Sequence, residues 1–285
     1  MCCGSGASSW PSVRSWPFGP DGKPIPNPGP MADHTPRVIV FGSGNVATSL
    51  GRAWESSGVV IAGFCNRRGL VPPGFTSTDA PCFKHPADID VAADYALMAV
   101  RDEVVFPLIE QLPSHLTPVH FSGALRNPDK GGVIWCAQSI QPNNPEHVGT
   151  IPMVITANGE AEREALNALA GRISNQLYPT TEEKRQKGHL TAVFAVNFTN
   201  HALAVAQELA KQAELPWDWF VPMIEAMSQG AIDGNAFERQ TGPGIRREEA
   251  IIRSQLESLQ GHPAWQKFYE AATASIQHLH DNTDS

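Results

Sequence analysis

Sulfur is sparse in these 285 residues. The five cysteines, Cys2, Cys3, Cys65, Cys82 and Cys136, form no CxxC pair, which argues against a zinc site or a disulfide framework and for a reducing compartment. Basic runs are missing as well. With 21 Lys and Arg against 29 Asp and Glu, the net charge is −8, and nothing resembles the clustered cations that phosphate contacts need, so nucleic acid is not an expected partner. The longest apolar runs, such as Tyr95–Val100, fall far short of a membrane span. The start lacks a basic segment leading into an apolar run, so it does not read as a secretory signal. These absences leave a cytoplasmic protein with no membrane partner as the expectation.

What is present is a folding composition. Hydrophobic residues make up 41% and charged residues 18%, and a chain of this length points to two domains around separate cores. Residues 1–30 stand apart. They hold seven prolines and five glycines without a periodic apolar pattern, and read as a disordered or extended leader. Within it, Gly22–Pro28 resembles part of a common epitope tag, and Met31 suits a natural start better. From Arg37, short β-branched runs alternate with helical patterns. Strands are expected at Val38–Phe41, Val59–Cys65, Tyr95–Val100, Pro118–Phe121, Val133–Ala137 and Met153–Thr156, and helices at Val46–Ser56 and Glu103–Leu112. That alternation implies right-handed crossovers and a mostly parallel sheet, an α/β domain over residues 31–158. Beyond residue 158 the strand signal stops. Helical patterns follow at Ala161–Ile173, Glu182–Gln212, Trp217–Met227, Glu248–Leu259 and Pro263–His280, so residues 159–285 read as an all-α domain.

The first strand runs into Gly42-Ser43-Gly44-Asn45-Val46-Ala47, a G-x-G-x-x-A turn opening a helix. One glycine permits the tight turn, the second lets backbone approach a pyrophosphate, and the small Ala47 allows close helix–strand packing. The N–H groups and positive dipole end of the helix then face the phosphates. This is the dinucleotide-binding arrangement of a Rossmann domain. The second strand discriminates between cofactors. NAD enzymes end it with a carboxylate for the ribose 2′-hydroxyl, whereas here it ends Cys65-Asn66-Arg67-Arg68. A guanidinium binds a 2′-phosphate that a carboxylate would repel, so NADP is expected.

Ligands in such sheets lie outside the carboxyl ends of the strands. Val100 ends one strand and should line the cofactor cleft. Asp102, just beyond it, should cap the next helix. His120-Phe121-Ser122-Gly123 ends another strand, with Ser122 placed to touch nicotinamide or substrate and His120 either a core histidine or a functional one. Gln138 ends a further strand. In the helical half, His189, Val193, Asn197 and Asn200 or His201 recur at helical spacing on an alanine-rich stretch. Burying such groups without partners costs roughly 1–3 kcal/mol each, so they belong to a wet surface or a site. A second cluster, Gln240-Thr241-Gly242-Pro243-Gly244-Ile245-Arg246, sets Arg246 beside a glycine-proline turn, where it could anchor an anionic substrate.

Taken together, G-x-G-N-V-A, His-x-Ser-Gly, H-L-x-A-V-F-A-x-N-F-x-N-H and Q-T-G-P-x-x-R resemble one family over about residues 36–280. It is a Rossmann-like family whose C-terminal half is a domain of unknown function, related to pyrroline-5-carboxylate reductase and to deazaflavin-linked NADP oxidoreductases. The resemblance implies a Rossmann domain followed by a helical domain like the C-terminal domain of 6-phosphogluconate dehydrogenase, often dimeric, and it leaves the substrate open. Two positions depart from the family's pattern. Its R-G-D reads Arg246-Arg247-Glu248 here, and a histidine further along that helix is replaced by Gln255.

The reaction expected is NADPH-dependent reduction of a small C=O or C=N group. In that scheme His189 is the general acid, Asn197 orients substrate or His189, Ser122 holds the nicotinamide or the reacting oxygen, and Arg246 holds a substrate carboxylate. Val193 stands where related β-hydroxyacid dehydrogenases carry a lysine, which argues against that activity. Two alternatives stay open: a non-catalytic NADP-binding sensor or scaffold, suggested by Arg247 and Gln255, and hydride exchange with a flavin or deazaflavin. The long apolar helices suggest a homodimer.

Overall fold

The computed structural model describes residues 35–140 and 145–281. The leader over residues 1–30, with Cys2 and Cys3, lies outside the described residues. The described chain divides into two compact units, residues 35–197 and 198–281.

The first unit contains β1 (Arg37–Phe41), α1 (Asn45–Ser56), β2 (Val60–Cys65), β3 (Cys82–Phe83), β4 (Tyr95–Met98), α2 (Asp102–Ile109), β5 (Thr117–His120), β6 (Gly132–Cys136), β7 (Met153–Ala157), α3 (Glu160–Ala170), β8 (Leu177–Pro179) and α4 (Glu182–Ala192). The strands form one eight-stranded sheet in the order β3-β2-β1-β4-β5-β6-β7-β8. All neighbours pair in parallel except β6 and β7, so the sheet is mostly parallel, with β7 and β8 reversed at one edge. The two-residue period of a strand explains its two cores. On β1, Val38 and Val40 join a cluster with Leu50, Trp54, Ile134 and Leu169. Ile39 and Phe41 enter a second cluster with Ala96, Met98 and Leu116. Strands covered on both faces read as continuous apolar runs, which is how β1 and β4 read in sequence. Trp54, fully buried, joins α1 to α3 by donating its indole N–H to the Leu169 carbonyl at 2.8 Å.

Two strands have no counterpart in the sequence expectation, β3 and β8. The latter lies beyond residue 158, where the sequence leads to no strand, and the compact units divide between Asn197 and Phe198 rather than after residue 158. The expected helix Glu182–Gln212 is α4, a π-helix over Val193–Phe198, and α5 (Thr199–Gln212).

The second unit is helical throughout: α5, α6 (Val221–Ile232), α7 (Glu249–Ser258) and α8 (Pro263–Asp281), with a 3₁₀ turn at Trp217–Trp219. Among its described residues only Ala210, Gly230 and Leu259 are buried. Phe198, Trp219, Met223, Met227, Ile232 and Leu279 are exposed. No helix among the described residues is long and apolar enough to cross a membrane.

Candidate active site

The glycine loop joins β1 to α1 as a strand–turn–helix. Gly42 has φ +94°, and a Cβ there would collide with the Ala99 carbonyl and stand 3.4 Å from Val100 Cγ1. Only glycine fits where the loop crosses the end of β4. Its N–H donates to the Cys65 carbonyl at 2.9 Å, which also fixes the loop to the end of β2. Gly44 is the N-cap of α1, with extended backbone and no side-chain cap, and a Cβ on it would meet nothing within 4 Å. The first turn of α1 carries no acidic residue. The helix therefore presents uncapped N–H groups and an uncompensated dipole end beside the exposed Ser43, Gly44 and Asn45. Val46 is half-buried, Ala47 is buried against the sheet, and the Asn45 side chain reaches the Ile140 carbonyl at 3.5 Å.

At the end of β2, Asn66 folds the loop: its Nδ2 donates to the Leu70 carbonyl at 2.8 Å and its Oδ1 accepts the Arg68 N–H at 3.1 Å. Arg67 and Arg68 are exposed and make no ion pair with a described residue. The short β3, paired through Asn66 N–H to the Phe83 carbonyl, brings the exposed Lys84 alongside Gly69. Lys84 is a third cation here that sequence reasoning missed, because a two-residue strand leaves no periodic trace.

The β5 end is more internally committed than expected. His120 is a core histidine: fully buried, it donates Nε2–H to the Arg126 carbonyl at 2.9 Å and accepts the Ser122 N–H at Nδ1. Burial lowers its pKa against the raising effect of the Arg126 carbonyl, with Arg185 lowering it further, so the neutral ring is favoured. The Ser122 hydroxyl donates to Asp102 Oδ2 at 2.7 Å and accepts the N–H groups of Ala124 and Leu125 at 3.2 and 3.1 Å. Its donor and both lone pairs are engaged within the protein, so this side chain shapes the loop. Asp102 is the first residue of α2 and makes no capping bond; Arg101 occupies the N-cap, and the Asp102 carboxylate serves Ser122 instead. Gln138 is exposed just beyond β6.

His189, on α4, rests on the same loop. A Cβ on Gly123 would stand 2.7 Å from His189 Cγ, and the imidazole meets the Trp135 ring edge-on, with centroids 5.7 Å apart. The half-buried imidazole makes no hydrogen bond to a described residue. The π-helix then determines where Asn197 falls. Along an α-helix the eight residues from His189 to Asn197 would leave them roughly 80° apart around the axis. A π-turn holds about 4.4 residues, so running the last four steps through it reduces that separation to roughly 10°. Asn197 thus shares His189's side of the helix and is exposed. Arg185, one α-turn before His189, is fully buried.

In the helical unit, Arg246 forms a two-pronged ion pair with Glu248, both bonds at 2.9 Å. Its fork is already matched by a carboxylate, so an incoming anion would have to displace Glu248. Asn200 and His201 are exposed, and His201 lies edge-on to Phe268 at 5.6 Å. Gln255 accepts a hydrogen bond from the Tyr269 hydroxyl at 2.6 Å. Among the described residues no His, Cys, Asp and Glu are grouped to hold a metal ion.

A mostly parallel sheet with a glycine-rich βα turn, followed by a helical unit, defines a Rossmann-type fold with a helical C-terminal region. Residues 151–276 match the family described as Domain of unknown function (DUF2520). The structure resembles that of a putative NADP oxidoreductase from Bacteroides fragilis, at 27% identity and TM-score 0.70, covering 85% of this chain and 98% of that one. It also resembles a protein from Thermotoga maritima (17% identity, TM-score 0.59, 87% and 100% of the two chains). An imine reductase from Myxococcus stipitatus in complex with NADP+ shares the fold at 13% identity and TM-score 0.63, over 87% and 95% of the two chains. A search of curated proteins gives no match.

Proposed function

We propose that the chain is an NADP(H)-dependent oxidoreductase that reduces a small carbonyl or imine substrate. The observation that carries this reading is the loop after β1. Its helix start is uncapped, free of acid and open at Gly44, and beside it the end of β2 offers Arg67, Arg68 and Lys84 with no carboxylate on Asn66, Arg67 or Arg68. A pyrophosphate fits the first feature and a 2′-phosphate the second. The likeness to the Bacteroides fragilis protein supports the same cofactor.

When bound, the cofactor supplies a hydride; the rest falls to the protein. His189 is the proton donor to the heteroatom of the substrate's double bond, since an imidazole can act as a general acid and its ring nitrogens have no partner among the described residues. Asn197, on the same side of the helix, orients the substrate. Arg246 binds a substrate carboxylate only by exchange with Glu248. The poorly buried helical unit, with an open groove of about 400 Å³ lined by Asn200, Leu203, Gln207, Trp217 and Ile224, supports a homodimer in which a second copy covers its apolar surface. The engaged Arg246 also fits the rival reading of an NADP-binding sensor.

The test is a titration with NADPH, NADH, NADP and NAD, followed by energy transfer from the seven tryptophans. Tighter binding of the 2′-phosphorylated pair, lost in Arg67→Ala, supports the reading and justifies a carbonyl and imine screen. No binding by any of the four sinks it, and tight NADPH binding without turnover of any screened compound leaves the sensor.

A further inference from the structure

One face of α4 is built to hold the loop after β5. Glu182, Arg185, Gln186 and His189 recur at the i, i+3, i+4, i+7 spacing of a single helix face, and each meets residues 122–127. Glu182 Oε2 accepts the Asn127 N–H at 2.5 Å. Arg185 donates through NH1 to the carbonyls of Ser122 and Gly123, at 2.9 and 2.7 Å, and through NH2 to that of Leu125 at 2.6 Å. Its Nε reaches Thr156 Oγ1 on β7 at 3.0 Å. Gln186 Nε2 takes the Ala124 carbonyl at 3.2 Å. His189 packs on Gly123.

Arg185 is the unusual member. It is 1% exposed, and its guanidinium donates to backbone carbonyls and side-chain oxygens with no carboxylate bound to it. A buried arginine is a costly way merely to fill space, since its charge leaves water and it must find an acceptor for each donor. Here those donors fix three carbonyls within four residues of one loop, and that loop is the seat of the His189 imidazole. An apolar side chain could fill the volume but could not set carbonyl positions.

We propose that Arg185 is a positioning residue for the site: by pinning the carbonyls of Ser122, Gly123 and Leu125, it sets the surface on which His189 sits and so aims the imidazole. This rests on His189 being the proton donor proposed above. Misplacing a reacting group by about 1 Å can cost about 100-fold in rate, so loosening the seat should lower kcat without touching the phosphate loop.

The experiment compares Arg185→Gln and Arg185→Lys in the full chain. Three readouts are used: the His189 ring Cε1–Hε1 NMR cross-peak, the Kd for NADPH, and kcat and KM with a compound from the screen. A displaced cross-peak and a kcat lowered by about 30-fold or more in Arg185→Gln, with Kd for NADPH changed less than about threefold and partial recovery in Arg185→Lys, support the proposal. A folded Arg185→Gln protein with an unmoved cross-peak or unchanged kcat overturns it. If Arg185→Gln does not fold, Arg185→Lys alone decides: a moved His189 cross-peak with lowered kcat and retained NADPH binding supports the proposal, and an unmoved cross-peak with unchanged kcat overturns it. Wild-type protein that binds no NADPH would defeat the oxidoreductase reading alone, because the cross-peak still reports on the seat.

Discussion

Replacing Gly44 by aspartate should make the protein more stable and unable to bind its cofactor. Gly44 is the N-cap of α1 with φ −84° and ψ −174°, a conformation any residue adopts, and a Cβ would meet nothing within 4 Å. Aspartate would therefore enter without strain and could accept N–H groups of the first turn. Changing glycine to aspartate at an N-cap gains a few tenths of a kcal/mol from the cap, and the carboxylate at the dipole end adds about 0.3–1 kcal/mol. Loss of glycine's freedom in the unfolded chain adds a similar amount, for a total near 1 kcal/mol. In a domain of this size that is a rise in Tm of about 2–4 °C. The same carboxylate would face the pyrophosphate. Two unit charges about 4 Å apart at an effective dielectric of 20 repel by about 4 kcal/mol, which alone corresponds to about 1000-fold in Kd. Thermal unfolding without ligand and tryptophan energy-transfer titration with NADPH read the two effects separately. A lower Tm would contradict the uncapped helix start, and unchanged NADPH affinity would show that this loop is not the phosphate site.

The Glu55 carboxylate, on α1, accepts the N–H groups of Thr76 and Ser77 and the Ser77 hydroxyl. Burial pushes its pKa up, and those hydrogen bonds together outweigh burial and hold it below the ordinary glutamate value. A lowered folded-state pKa contributes stability that is present above the unfolded value of about 4.3 and is lost as pH falls through the folded one. Glu55→Gln should thus show a smaller drop in Tm than wild type between about pH 6 and pH 3; an identical drop would refute the assignment. Trp54→Phe should cost about 0.5–1.5 kcal/mol in urea unfolding through the lost hydrogen bond, because the buried Leu169 carbonyl then keeps only the longer bond from the Arg172 N–H at 3.3 Å. Arg247 has φ +51°, so Arg247→Gly should fall within about 1 kcal/mol of wild type, whereas Arg247→Val should destabilise by more than that. Equal effects of the two would remove backbone strain as the reason.

Most of the first unit was legible because burial on both faces forces β1, β2, β4 and β6 into continuous apolar runs, and because the tight turn at Gly42 admits only glycine. The elements that escaped are those whose identity comes from neighbours. β3 and β8 are two and three residues long and exist through pairing with β2 and β7, so they carry no period of their own. The reversal at β7 is equally silent, since a buried strand reads alike in either direction. In the site, the glycine loop and the cations after β2 follow from local sequence, whereas Ser122 reads as a nicotinamide or substrate contact and Asp102 as a helix cap until the 2.7 Å bond between them is seen. Arg185 is the sharpest case. Arginine on a helix is ordinarily a surface residue, and only the stripe it shares with Glu182, Gln186 and His189 hints that this face turns inward.

The two departures from the family's pattern bear on whether chemistry survives, and the structure gives each a local reason. Arg247 stands where the pattern has glycine, and its left-handed backbone is the conformation glycine adopts freely. The chain keeps that turn with a larger residue, whose guanidinium meets Asp281 on α8 at 2.6 Å. Gln255 stands where the pattern has histidine, and its carbonyl accepts the Tyr269 hydroxyl, a bond an imidazole nitrogen could equally accept. Both substitutions thus preserve contacts within the helical unit and neither lies on the loop after β1 or on α4. Loss of proton chemistry would follow only if the family's histidine itself transfers the proton. The role proposed for His189 would make that unnecessary, because an imidazole with no hydrogen bond to a described residue already sits on the Gly123 seat. The departures therefore weigh against the particular use of Arg246, which Glu248 occupies, more than against hydride transfer as a whole.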